Sequence, residues 1–185
     1  MSFVQEYKSD LINAIDAIDL AKVDQIIEIF KRARAEGRHI FTCGNGGSAS
    51  SASHFVCDIV KGASYKRDDK FKVMSLCDNM ATLLAYANDV SYDCVFVEQL
   101  RNFASAGDVV LAISGSGNSP NVVNALEYAN SIGCETIALT GRDGGKLGAV
   151  AQLNLNVGVP HMGRIEDAHM IVCHMIAYYF MDTER

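Results

Sequence analysis

His54 and Asp58 stand one helical turn apart in Ala49-Ser-Ser-Ala-Ser-His54-Phe-Val-Cys-Asp58, so an imidazole and a carboxylate share one helix face. Such a pair can move protons to and from a substrate, or simply tie its own helix together. Just before it the chain reads Cys43-Gly44-Asn45-Gly46-Gly47-Ser48. Glycines let a backbone turn sharply and approach a ligand, and the helix start after Ser48 offers free N–H groups to an anion. A second loop, Ser114-Gly115-Ser116-Gly117-Asn118-Ser119-Pro120, adds three hydroxyls and ends on a good helix start, with Ser119 as N-cap and Pro120 at the first helical position. Neither loop is a P-loop or a dinucleotide fingerprint, because Gly-Lys-Ser/Thr and G-x-G-x-x-G are both absent. A serine–glycine loop alone is more often a turn. Two of them, each after an apolar run, point to acid–base chemistry on a phosphorylated substrate.

These groups need a scaffold, and the hydrophobic pattern supplies one. Apolar strand-like runs at 39–43, 71–76, 108–113, 135–139 and 151–157 alternate with helical stretches near 48–61, 79–87, 92–105 and 119–132, and a last helix runs from about 164 to 181. Alternation of this kind predicts an α/β fold with a doubly wound parallel sheet covered on both faces, which binds ligands beyond the carboxyl ends of its strands. Ahead of the first strand, Leu11, Ala14, Ile15 and Ile18, then Val23, Ile26, Ile27 and Phe30, recur at helical spacing, with a break at Asp19-Leu20 and a stop at Gly37. These two helices either cover the sheet or pack against another subunit.

At 185 residues, 49% hydrophobic and 21% charged, the chain reads as one globular domain with a real core. No apolar run approaches the ~18 residues of a spanning helix and no signal-peptide pattern opens the chain, so a cytoplasmic location and no membrane partner are expected. A net charge of −6 argues against direct nucleic-acid binding; the one basic cluster is Lys61, Lys66, Arg67, Lys70 and Lys72. The six cysteines (43, 57, 77, 94, 134, 173), with no C-x-x-C pair, read as small core residues.

The two loops resemble those of the sugar isomerase (SIS) phosphosugar-binding family, and the chain is most similar to its heptose isomerase branch. The likeness covers nearly all of the chain: Cys43-Gly-Asn-Gly-Gly-Ser48, His54-Phe55, Asn88-Asp89, Gly107-Asp-Val-Val-Leu111, Ile113 through Ser119, Leu139-Thr-Gly-Arg-Asp-Gly-Gly-Lys146, Val159-Pro-His161 and Arg164-Ile-Glu-Asp-Ala-His169. The resemblance implies a single SIS domain over 1–185. Residues 1–37 would form an oligomerising helical segment and 38–185 a flavodoxin-like core of five parallel strands, in a homotetramer with sites at subunit interfaces. It implies aldose–ketose isomerisation of sedoheptulose 7-phosphate to a D-glycero-D-manno-heptose 7-phosphate-type product. By position, Asn45, Gly46, Gly47, Ser48, Ser114, Gly115, Ser116 and Ser119 would hold the substrate, the three later serines on the phosphate, with Asp89 on sugar hydroxyls. His54, Asp58, Glu166 and His174 match a set that can bind zinc, with His174 and Asp58 as proton-transferring residues and Glu166 also facing substrate.

Four positions depart from the family pattern. Asp58 stands for the usual glutamate, Glu166 for glutamine, Gly163 for an acidic residue and Ala63 for an arginine. Aspartate is shorter by roughly 1.5 Å, and a misplacement of about 1 Å can cost ~100-fold in rate. Two carboxylates and two histidines around a divalent ion form a neutral set that polarises a carbonyl less strongly than a set with one carboxylate. The family also holds non-catalytic members that associate with a replication initiator, so a phosphosugar-binding protein without turnover, or an isomerase of a related sugar phosphate, are the alternatives. Of the other candidates, His169 reads as structural, His39 as bland, His161 as a loop or rim residue, and Asp143-Gly-Gly-Lys146 as an architectural turn into a short helix. Glu98 and Gln99 either line the site in a tetramer or face solvent.

Overall fold

The computed structural model describes residues 2–183. Helices α1 (Phe3–Asp16) and α2 (Leu20–Ala35) precede β1 (His39–Gly44), α3 (Gly47–Cys57), β2 (Lys72–Ser75), α4 (Met80–Asp89), α5 (Val97–Phe103), β3 (Val109–Ser114), α6 (Pro120–Ser131), β4 (Glu135–Gly141), α7 (Gly145–Val150), β5 (Leu153–Val157) and α8 (Met162–Asp182). The five strands are all parallel, in the order β2-β1-β3-β4-β5. This is the flavodoxin-like order expected from the resemblance, and its reversal falls between β1 and β3.

Strand alternation distributes the core. Ile40, Val109, Leu111, Ile113, Ile137 and Leu139 face a layer formed by α2, α3 and α8, while Phe41, Cys43, Val110, Ala112 and Ala138 face one formed by α5, α6 and α7. Side chains at successive strand positions point to opposite faces, so near-continuous apolar strands are what a sheet covered on both sides requires. β1 and β3, central in the sheet, are buried almost throughout.

Several expected boundaries shift. The helix expected over 48–61 ends at Cys57 and gives way to a π-helical turn, Asp58–Ala63. The helix expected over 92–105 is split into a 3₁₀ turn at Tyr92–Cys94, capped by Ser91 accepting from Asp93 N–H, and α5. Gln99 neither lines the site nor faces solvent. It is buried, and its amide donates to the carbonyls of Leu76 and Val95; Glu98 pairs with Arg101 at 3.4 Å. Cys43, Cys134 and Cys173 are core residues, but Cys57 is exposed and Cys77 and Cys94 are half-buried. Among the described residues no helix is long and apolar enough to cross a membrane.

Two predictions arise here. Asp19 ends the break between α1 and α2, and its side chain accepts from Lys22 N–H at 3.3 Å. Asp19→Ala is expected to lower unfolding free energy by about 1 kcal/mol, measured by urea denaturation. His169 is buried with Nε2 donating to the Thr140 carbonyl at 2.9 Å, while Nδ1 has no partner among the described residues. Burial holds its pKa down to about 4. The unfolded chain, with an ordinary histidine near 6.5, therefore takes up a proton that the folded chain refuses, and stability falls as pH drops from about 6.5 toward 4. The loss approaches about 3 kcal/mol. Unfolding at pH 7 and 4.5 should show this in the parent and a smaller loss in His169→Gln, which keeps an N–H donor but does not titrate.

Candidate active site

A cavity of about 250 Å³ opens at the carboxyl ends of β1 and β3, lined by Asn45, Gly46, Gly47, Ser48, Ile113, Ser114, Gly115, Ser116, Ser119, Met162 and Glu166. Both loops singled out in the sequence meet here, because the strands they follow are hydrogen-bonded neighbours. Gly46 has φ +54 and ψ −123, a conformation open essentially to glycine. The first-turn N–H groups of Gly47 and Ser48 have no backbone acceptor among the described residues. On α6, Ser119 takes the N-cap position but its hydroxyl makes no cap bond, and the Asn121 N–H is likewise unpaired. Two helix amino termini with free donors thus converge on one cavity, whose wall has no lysine or arginine among the described residues. Donors of this kind suit an oxyanion such as phosphate.

Glycines also set how closely the walls pack. A Cβ on Gly47 would lie 2.6 Å from Glu166 Oε1, and one on Gly115 would lie 2.5 Å from Met162 Sδ. The Asp143-Gly-Gly-Lys146 turn proves to buttress the serine loop: Leu147 N–H donates to Gly117 O at 2.8 Å and Lys146 N–H to Asn118 Oδ1 at 3.1 Å.

The second cluster is His54, Asp58 and His174. α3 carries His54, Asp58 opens the π-helical turn that follows, and α8 brings His174 across. Asp58 Oδ2 lies 3.4 Å from His54 Nε2 and 3.7 Å from His174 Nε2, so the shorter aspartate still reaches both imidazoles. That oxygen is buried without a hydrogen-bond donor among the described residues, while the two histidines are about half exposed. The His54 and His174 rings meet edge-on, and the Tyr178 ring also meets that of His174, at 90°.

The structure does not bring all the expected residues together. Glu166 stands in the cavity wall, not with His54, Asp58 and His174. Eight residues of α8 separate it from His174, about 12 Å of helical rise. Asp89, at the end of α4, is exposed, accepts from Asn88 Nδ2 at 2.7 Å and is not part of the cavity wall. His161 occupies the N-cap position of α8 and meets the Tyr7 ring edge-on. His39 pairs loosely with Asp108 at 3.8 Å. Sequence reasoning did not name Ile113 or Met162 as cavity residues, although Ile113 opens one motif that it singled out and Met162 directly follows another.

A flavodoxin-like sheet with an oxyanion cavity at its switch point and a separate acid–base trio defines a class: α/β proteins that hold a phosphorylated ligand and can move its protons. The chain belongs to the SIS-domain family, whose profile matches residues 3–141. It is 41% identical over 159 residues to a probable phosphoheptose isomerase of Thermoplasma acidophilum, covering 86% of this chain and 87% of that protein. It is 43% identical over 141 residues to a phosphoheptose isomerase of Aliarcobacter butzleri, covering 76% of this chain and 74% of the relative. The solved phosphoheptose isomerase GmhA from Neisseria gonorrhoeae superposes with a TM-score of 0.88 at 33% identity, covering 96% of each chain.

Proposed function

We infer that this protein is an aldose–ketose isomerase that interconverts sedoheptulose 7-phosphate and a D-glycero-D-manno-heptose 7-phosphate-type aldose, as the names of its relatives suggest. The observation that carries the reading is the pairing of a donor-lined oxyanion cavity with a trio of two imidazoles and one buried carboxylate. Isomerisation of a ketose removes a proton from C1, passes through a 1,2-enediol and returns a proton to C2. Asp58 and His174 are the groups for those transfers. Ser114, Ser116, Ser119 and the helix amino termini hold the phosphate, which fixes the reacting carbons relative to the trio.

The trio also fits zinc. Tetrahedral ligand atoms at bonds of about 2.0–2.1 Å lie roughly 3.3 Å apart, close to the 3.4 and 3.7 Å that separate Asp58 Oδ2 from the two Nε2 atoms. A buried carboxylate oxygen with no donor is what a cation would satisfy. His54, Asp58 and His174 would hold the ion, and when bound it would supply polarisation of the sugar's carbonyl oxygen. Glu166 is not grouped with them within the chain, and its backbone sits about 12 Å along α8 from His174, which favours its joining them from a second copy.

That distance supports a composite site in a homotetramer, with the phosphate cavity and Glu166 from one subunit and the trio from its neighbour. Phe3 and Val4 on α1, and Met80 and Leu84 on α4, leave apolar surface exposed, and α4 buries none of its residues within its own chain, as subunit contacts would require. On this reading the chain is one SIS domain whose first 37 residues serve assembly, working in the cytoplasm. The test is NMR in D₂O with sedoheptulose 7-phosphate, with and without zinc. Deuterium beside the carbonyl and an aldoheptose product support it; clear binding with no exchange overturns it in favour of a binding protein.

A further inference from the structure

Asn45 is the cavity residue with the most elaborate support. Its Nδ2 donates to Asn121 Oδ1 at 2.9 Å, and Asn121 Nδ2 donates back to Asn45 Oδ1 at 2.9 Å. Tyr92 Oη also donates to Asn45 Oδ1, at 2.8 Å. Asn121 is buried in the first turn of α6, whereas Tyr92 is half exposed in the 3₁₀ turn after α4. Three segments distant in sequence therefore meet on one amide.

A reciprocal pair of amides is by itself ambiguous. Turning both through 180° preserves both hydrogen bonds but exchanges the oxygen and nitrogen of each. The phenol fits either arrangement, because Oη can donate to Oδ1 or accept from Nδ2; in the structure it donates to Oδ1, and an anion in the cavity, which needs a donor, favours the same orientation. With Oδ1 accepting twice and one N–H given to Asn121, the second N–H of Asn45 has no partner among the described residues, and Asn45 is part of the cavity wall. In the opposite orientation the amide would present its carbonyl oxygen, an acceptor, to phosphate oxygens that also only accept.

We propose that Tyr92 and Asn121 are positioning residues that orient the Asn45 amide so that its free N–H is offered to an oxygen of the bound sugar phosphate. The same contact ties the segment after α4, which begins just beyond Asp89, to the glycine loop. The proposal rests on the isomerase reading for its substrate, but the hydrogen-bond geometry stands without it.

Tyr92→Phe keeps the ring and removes only the donor. The expected result is a five- to tenfold rise in KM and in the calorimetric Kd for sedoheptulose 7-phosphate, with kcat within twofold and an unchanged melting temperature. Asn45→Asp retains both acceptor bonds but has no N–H to offer and adds a negative charge; it should weaken binding more than tenfold. Parent-like Kd in Tyr92→Phe, or a fall in kcat at constant KM, overturns the proposal. Should the parent neither bind nor convert the sugar phosphate, the isomerase reading fails. Calorimetry with inorganic phosphate then decides the inference: weaker binding in Tyr92→Phe supports it, and equal binding, or none in the parent, refutes it.

Discussion

Asp58→Asn is expected to lower kcat for isomerisation by two to four orders of magnitude, the range associated with losing a positioned acid–base group, while the Kd for sedoheptulose 7-phosphate stays within about threefold of the parent value. Asparagine fills the same volume, so the packing of the π-helical turn should survive. It lacks the carboxylate that now lies between the Nε2 atoms of His54 and His174. Either function of that oxygen, moving a proton or holding a cation, fails without its charge. Deuterium exchange at the sugar and steady-state kinetics measure the first; zinc content after dialysis measures the second. An Asp58→Asn variant that kept more than a tenth of parental kcat would remove Asp58 from the chemistry.

The second large effect should come from a methyl group. Gly117 has φ +64, and a Cβ there would lie 2.1 Å from the Gly144 carbonyl oxygen and 2.6 Å from its carbon. Both neighbours are backbone, so no rotamer change relieves the clash. Gly117→Ala must push the serine loop off the turn that supports it, losing the Leu147 N–H to Gly117 O bond. The expected outcome is a destabilisation of roughly 2–4 kcal/mol and a loss of phosphate affinity of about 100-fold or more, read by calorimetry well below the lowered melting temperature. The two variants also test the composite site. Assembled together, Asp58→Asn and Gly117→Ala subunits should regain activity that neither has alone. With random assembly about a quarter of the interfaces pair an intact loop with an intact trio. No recovery would mean that each subunit works alone.

Much of this was legible before the fold. The loops at Gly44–Ser48 and Ser114–Pro120 announced themselves because glycine, serine and proline act locally on backbone freedom, capping and helix starts. The unbroken apolar run Val109 through Ile113, buried at every position, and the helical periodicity in α2 follow from side-chain geometry within a few residues, and so the α/β alternation was readable too. The likeness to SIS proteins supplied the pairing of His54 and Asp58 with His174, residues far apart in the chain.

Tertiary structure decided the rest. Gln99 looked like a polar residue on a helix surface, yet the carbonyls of Leu76 and Val95 accept its amide inside the core, and no local pattern announces a partner on another element. Within one chain Glu166 lines the cavity and stands apart from the trio, because about 12 Å of helical rise separates its backbone from that of His174. Tyr92 and Asn121 gained a role only when the sheet order set β1 beside β3 and brought α6 and the turn after α4 against Asn45. By itself the sequence determined the local conformations and the chemical groups. Which groups face each other was decided by strand order and helix packing, since hydrogen bonds act over about 3 Å in space and take no account of distance along the chain.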